Sequence, residues 1–414
     1  MASPRTTEEP SAGLALTQRV PSWLRLAHGL SGLWPRSAIL ADVLAVFVTI
    51  KAGFYLLALF GTWMIPEYAG STYQKWYSGA DRLIDISWRW DSQWYMSIVR
   101  EGYKTFDATH TNLAFFPLYP LLIKALGFAL GEANLALAGV LVANTAFFAA
   151  LFYLHRLASM DGGRDHARRA IWYVAIYPAA FFFGAAYAES LFLLTAAATL
   201  YHLRRGEVWR AGLWGFLGAL TRTQGILLLL PIAWEAARLA WRQRRPPWRQ
   251  APALALPPLG VALFMAYLYV NVGDPLAFLH VQSVWHRSFA LPPAAIWGAL
   301  QLAVAGYKEP SYPMGLINTA SVIVFLVVAL ASLRRWPAVY SLYAFASLVL
   351  ALLLPVADQP TVSDARFMAV VFPVLFTLAA WTEKRPTLDR FLTTISLLFY
   401  ALLTVLFTNW YWVV

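Results

Sequence analysis

Residues 39–65 form a run interrupted by charge only at Asp42 and Lys51, longer than the roughly 20 residues that cross a hydrocarbon core, and comparable runs recur to the C-terminus. No water reaches the middle of a bilayer, so each backbone amide in such a run must be satisfied within its own segment, which makes the segments helices. With 60% apolar and 13% charged residues the chain lies outside the soluble norm. The fold class expected is therefore an all-α polytopic membrane protein. The formal charge is +11, but the arginines sit in short loops beside apolar runs, which is the pattern that insertion requires. Membrane lipid is the expected surrounding and nucleic acid is not an expected partner. The first run is too long for the core of a cleaved signal and follows about 38 polar, arginine-containing residues. The chain accordingly reads as a cytoplasmic segment over 1–38 and one transmembrane domain over 39–414. No cysteine is present, so disulfide and thiol chemistry are excluded.

Counting Arg and Lys in the short loops sets the expected topology. If the N-terminus is cytoplasmic, the basic loops around Arg164, Arg204, Arg242, Arg334 and Arg385 all fall inside. This holds on two conditions: the stretch 113–130, with Pro117 and Pro120, is re-entrant or interfacial, and 211–237 is a short hairpin with Thr221-Arg222-Thr223-Gln224-Gly225 at its outer tip. Spans then fall near 39–65, 133–155, 170–186, 188–203, 211–221, 225–237, 251–271, 313–333, 337–355, 367–382 and 391–410, or about eleven helices. No internal repeat of the kind that builds many transporters is visible.

The loop 66–112 is the first external one and is unusually polar. Within 81–101, Leu83, Ile86, Trp90, Trp94 and Ile98 recur at spacings of three and four, which predicts an amphipathic helix on the membrane surface. Asp85 and Arg89 are four apart and predict an ion pair on its wet face. Asp91 lies among Trp88, Trp90, Trp94 and Tyr95, where a carboxylate that loses hydration becomes a stronger base provided no cation neutralises it. The alternative for Asp91 is an N-cap of a helix over 92–101, closed by Gly102.

Further along, Glu189 is an acid in an apolar stretch. It reads either as a functional group or as the partner of a neighbouring cation. Arg222, at the hairpin tip, suits a phosphate oxyanion, or else pairs with Glu189 or snorkels. Arg366 reads as a second phosphate ligand or as a topology anchor, and His280, with Gln282, His286 and Arg287, belongs to the loop that follows 267–272. No spacing of histidines and acids compels a metal site, so no cofactor is expected.

Trp90-Asp91-Ser92 with Gly102-Tyr103, Phe115-Phe116-Pro117-Leu118-Tyr119-Pro120, Tyr177-Pro178, Tyr187-Ala188-Glu189-Ser190, Leu220-Thr221-Arg222-Thr223-Gln224-Gly225 and Gly273-Asp274-Pro275-Leu276 together resemble the PIG-V mannosyltransferase family over about 88–291. The resemblance implies a GT-C glycosyltransferase that takes a sugar, mannose in the first instance, from a polyprenyl or dolichyl phosphate donor to a hydroxyl of a lipid or glycan acceptor, with inversion. It places the active site on the non-cytoplasmic side and gives Asp91 the role of catalytic base. Arg222 and Arg366 would hold the donor phosphate, and Glu189, Trp90, Trp94, Tyr119, Tyr187, Gln224 and His280 would contact the acceptor or support the site. Ser92-Gln93-Trp94-Tyr95 departs from the eukaryotic pattern after the Trp-Asp pair, and the high alanine and arginine content points to a bacterial plasma membrane; a eukaryotic member would work in the endoplasmic reticulum. The readings of other classes are a polyprenyl-linked transporter or flippase and a noncatalytic partner in a glycosylation complex.

Overall fold

The computed structural model describes residues 36–413 apart from 69–74, 76, 80, 108–109, 245–246 and 306–311, so the segment expected at 1–38 lies almost wholly outside the described residues. The described chain is helical: α1 (Arg36–Met64), α2 (Arg82–Asp85), α3 (Ser92–Glu101), α4 (Leu118–Leu130), α5 (Leu135–Ile176), α6 (Glu189–Arg204), α7 (Val208–Ala219), α8 (Leu229–Gln243), α9 (Ala251–Val272), α10 (Ala277–His280), α11 (Pro292–Ala305), α12 (Tyr312–Ser332), α13 (Ala338–Leu352), α14 (Asp364–Met368), α15 (Phe372–Thr382) and α16 (Pro386–Thr408). Five segments, 37–64, 132–176, 251–272, 313–332 and 386–408, are long and apolar enough to cross a membrane, and α4, α13 and α15 are shorter apolar helices. The all-α, multi-pass reading stands on these segments.

Helix α5 runs through the centre, packed against α1, α4, α6 and α15. Two separate spans are expected here, and the segment is two helices that meet at Gly163, whose backbone is non-helical with φ +78°, a value that favours a residue without a Cβ; the joint is a single sharp break and not the longer loop expected between 155 and 170. The arginines of this bend are not a free loop: Asp42 of α1 accepts from Arg164 Nε at 2.7 Å and lies 3.4 Å from Arg168, with His155 at 3.2 Å. Arg204, at the end of α6, reaches Asp161 at 2.6 Å, and Arg169 reaches Asp389 at the start of α16 at 2.9 Å. Basic residues thus collect at one end of the bundle. The other end, reached along α1, α6 and α16, carries Asp91 and Glu189, and α6 alone separates the two by about 22 Å at 1.5 Å per residue.

At 13 residues, α4 is too short to cross, as the re-entrant reading of 113–130 requires. The short hairpin also forms: α7 ends at Ala219, a 3₁₀ turn covers Thr223–Leu228, and α8 follows. Gly225 closes that tip by lying directly on Gly218; a Cβ there would stand 2.0 Å from the Gly218 carbonyl oxygen. The Leu118 amide donates to Leu220 O at 2.9 Å, tying the start of α4 to the tip.

The surface helix expected over 81–101 is not continuous. It breaks over 86–91 into α2 and α3, and α3 is buried rather than laid on the surface: Trp94 and Tyr95 are each 3% exposed. The break follows from tertiary demand, because Arg89, 2% exposed, turns inward, donates to Thr408 O at 2.8 Å and pairs with Asp85 at 2.9 Å. The predicted pair forms, but between a buried arginine and a half-buried carboxylate and not on a wet face.

Candidate functional site

The sequence from Trp88 to Gln93 is a turn whose every corner is held. Trp88 Nε1 donates to Ala136 O (3.2 Å), Trp90 Nε1 to Tyr411 O (3.2 Å) and Tyr187 Oη to Arg89 O (2.8 Å), while the Gln93 amide accepts from Tyr77 N (2.7 Å) and donates to Trp88 O (2.9 Å). Trp90 sits at φ +54°, a conformation rare for a large L-residue that persists only where the surroundings over-determine it. The consequence is positional: Asp91 is presented at the start of α3 with its side chain turned away from the helix. Asp91 occupies the N-cap position but makes no side-chain capping bond, so the capping alternative does not hold.

Its carboxylate meets arginine instead. Arg366 Nη1 donates to Asp91 Oδ2 at 2.5 Å, and Arg366 Nε donates to Glu189 Oε1. Arg222 Nη1 donates to the same Glu189 oxygen, so one buried carboxylate, 1% exposed, holds two guanidiniums and through one of them the Asp91 carboxylate. Glu189 lies in the first turn of α6, where the helix N-terminus favours a negative charge. Its other oxygen is buried without a hydrogen-bond partner. The Arg366 guanidinium stacks over Tyr187, 4.6 Å from the ring centre, and over Phe182 at 4.9 Å.

This network forms one wall of a cavity of about 560 Å³, whose lining includes Asp91, Arg222, Gln224, Gln282, Arg287, Arg366 and Trp412. Of the residues singled out from the sequence, Asp91, Arg222, Gln224 and Arg366 face this space, and Glu189 joins them from behind. Trp90 and Tyr187 do not line the cavity and brace the Asp91 turn. Three residues stand apart. Trp94 is buried and stacks on Phe115, 6.3 Å between ring centres. Tyr119 is fully buried, donating to Gly139 O at 3.0 Å. The exposed His280 ring pairs with Asp274 at 2.7 Å, which holds the Asp274 carboxyl below its ordinary range. For these three the sequence signal is packing and loop polarity, not contact with the cavity.

Arg287 completes the polar lining. Its guanidinium donates to Leu354 O at 3.0 Å and forms no ion pair with a carboxylate among the described residues. It shares the Phe367 ring with Arg222, at 6.0 and 5.5 Å from the centre. Burial pushes the Arg287 guanidinium down and the neighbouring Asp364 carboxyl up to about 8. Asp364 is 1% exposed and its Oδ2 has no hydrogen-bond partner. In the sequence Arg287 stands with His280, Gln282 and His286 in one loop, and no spacing there marks it out from them. Among the described residues no group of three His, Asp or Glu side chains gathers in a way that would hold a metal ion.

Fold and site together define a multi-pass, all-helical membrane protein with an arginine-clamped carboxylate at the wall of a cavity, at the end of the bundle away from the basic loops. Residues 67–244 match the model of the mannosyltransferase (PIG-V) family, so the resemblance read from the motifs is borne out over the stretch that carries Asp91, Glu189 and Arg222. The "GPI alpha-1,6-mannosyltransferase 2" of Rattus norvegicus is 30% identical over 151 residues, 34% of this chain and 29% of that protein. The protein of the same name from Mus musculus is 30% identical over 165 residues, 36% of this chain and 32% of that one. The chain thus matches only about a third of the length of these curated relatives. Among solved structures, the oligosaccharyltransferase of Archaeoglobus fulgidus in complex with Zn and sulfate superposes with a TM-score of 0.42 at 13% identity, over 88% of this chain and 53% of that one. The same archaeal enzyme with an inhibitory peptide and a dolichol-phosphate gives 0.40 at 13% identity, over 89% and 55%.

Proposed function

We propose that the protein is a membrane glycosyltransferase of GT-C type that moves a sugar, mannose by its family likeness, from a polyprenyl or dolichyl phosphate donor to a hydroxyl of a lipid or glycan acceptor on the non-cytoplasmic side. The observation that carries this reading is the charge count of the cavity. Arg222 and Arg366 pair with the two carboxylates Asp91 and Glu189, Arg287 pairs with neither, and burial holds its neighbour Asp364 toward the protonated, neutral form, so the site carries one positive charge in excess. A lipid phosphodiester brings one negative charge, and a buried positive excess favours it.

In the proposed step the acceptor oxygen attacks the anomeric carbon, the bond from that carbon to the phosphate oxygen breaks, and the lipid monophosphate leaves with the electron pair. Asp91 takes the acceptor's hydroxyl proton. In the resting site Arg366 neutralises Asp91, so the condition for a strengthened base is met only when that guanidinium turns part of its charge to the phosphate. Arriving donor thus competes for Arg366, and the carboxylate it releases becomes the stronger base. Negative charge that develops on the leaving phosphate is met by groups already fixed by Glu189 and the Phe367 ring, which costs little reorganisation.

The test is the fate of the donor. Wild-type protein in liposomes, given polyprenyl phosphate mannose and a lipid and glycan extract, is expected to release free polyprenyl phosphate. Donor recovered intact on the opposite leaflet would instead establish a flippase.

A further inference from the structure

The last described residues, 409–413, follow the final membrane helix α16, yet they do not leave the molecule. Their backbone carbonyls are spent on the Asp91 turn and its approach: just after Thr408 O accepts from Arg89, Asn409 O accepts from Tyr68 N at 2.9 Å and Tyr411 O from Trp90 Nε1 at 3.2 Å. Trp410, 2% exposed, lies beneath the Arg89 guanidinium and the Lys75 ammonium, 5.1 and 4.5 Å from its ring centre. Its backbone is left-handed at φ +64°, as is that of Trp90, whose ring it meets at 5.9 Å. Two tryptophans in a conformation that disfavours them, packed on each other at the turn that carries Asp91, mark a segment held in place by tertiary contacts and not by local preference.

What this segment delivers is Trp412. Its indole packs edge-on against Trp90, 5.0 Å and 87° apart, is 39% exposed, and lines the same cavity as Asp91. An anchor in the headgroup belt faces lipid; this ring is fixed relative to the carboxylate and faces the cavity. The amides of Gln224, Gln282 and Gln359 line the same space. An aromatic face together with several amides and charged groups is complementary to a pyranose, which shows apolar C–H groups on its faces and hydroxyls around its rim. We propose that Trp412 is a carbohydrate-contacting residue, carried into the site by the C-terminal segment, on which the face of a pyranose rests. This deepens the transferase reading and rests on it for the identity of the sugar.

The test measures binding rather than turnover, on the full chain in detergent. Affinity is compared for polyprenyl phosphate mannose and for polyprenyl phosphate, and then for methyl α-mannopyranoside with polyprenyl phosphate already bound, in wild type, Trp412→Ala and Trp412→Phe. Wild type is expected to show a sugar-dependent gain in one of the two arms. Trp412→Ala is expected to lose about tenfold of it and Trp412→Phe to recover most. Loss in the first arm assigns the ring to the donor sugar, loss in the second to the acceptor sugar. Equal affinities in Trp412→Ala and wild type, or no sugar-dependent gain in wild type, overturn the proposal. So does an equal fall in polyprenyl phosphate binding and melting temperature, which marks a structural role. Sugar-dependent binding through Trp412 without donor cleavage refutes the transferase reading and leaves the contact standing.

Discussion

Replacing Glu189 by Gln keeps the shape of the site and removes its central charge. The wild-type carboxylate is 1% exposed and one of its oxygens accepts from both Arg222 and Arg366, so the variant leaves Arg222 without a carboxylate and Arg366 with Asp91 alone. Removing one member of a buried ion pair costs about 3–5 kcal/mol, because a cation stays desolvated and uncompensated. A glutamine oxygen still accepts one neutral hydrogen bond, which places Glu189→Gln near 3 kcal/mol, the low end of that range. Thermal unfolding in detergent, followed by tryptophan fluorescence, should show a drop of several degrees that 0.5 M salt does not diminish, since buried pairs are poorly screened. Arg222→Met in the same chain should recover part of the loss, with a coupling of about 1–3 kcal/mol. Unchanged melting in the single variant, or simple additivity in the double, would refute the claim that Glu189 is the electrostatic centre of the site.

Other outcomes follow from the same geometry. Asp364 is buried and its pKa is pushed up to about 8 by desolvation, so the folded state binds its proton more tightly than the unfolded chain does. That contribution to stability is fully present below the ordinary carboxyl range and is lost as pH rises toward 8, at up to about 1.4 kcal/mol per unit. Asp364→Asn should therefore melt higher than wild type at pH 8 and lose that advantage toward pH 4; a difference independent of pH would contradict it. Gly225→Ala forces a Cβ to 2.0 Å from Gly218 O and should displace the tip that carries Arg222, lowering both melting temperature and donor affinity, whereas Gly315→Ala, where a Cβ meets nothing within 4 Å, should change neither.

Much of the site is legible in the sequence because charge in an apolar setting is rare. Asp91, Glu189, Arg222 and Arg366 each stand out against their neighbours, and the proline-bearing 113–130 stretch and the Thr221–Gly225 tip are readable from length and the positions of basic residues. Their joining is not. Glu189 and Arg366 are 177 residues apart, Asp91 and Arg366 275, and Trp90 and Tyr411 321, and no local periodicity records such separations. The break at 86–91 is hidden for the same reason, since the apolar spacing through 81–101 is regular and only the pull of Thr408 and Tyr411 on Arg89 and Trp90 unwinds it. Trp410 and Trp412 resemble ordinary headgroup-belt aromatics until the fold shows which way they face. Gly163 is a milder case: a basic segment with two glycines reads as a loop between two spans, and the helix does break at Gly163, but helical backbone runs up to the break on both sides while Asp42 neutralises the arginines.

Asp91 as the base is the step on which the proposed transfer turns. Wild type and Asp91→Asn, matched in melting temperature, should be compared for the rate of polyprenyl phosphate release from polyprenyl phosphate mannose, since asparagine accepts the Arg366 hydrogen bond but cannot take a proton. A fall of about 10²–10⁴ in kcat with donor affinity retained is the predicted result. Equal rates in the two proteins would contradict it and move the proton transfer to another group.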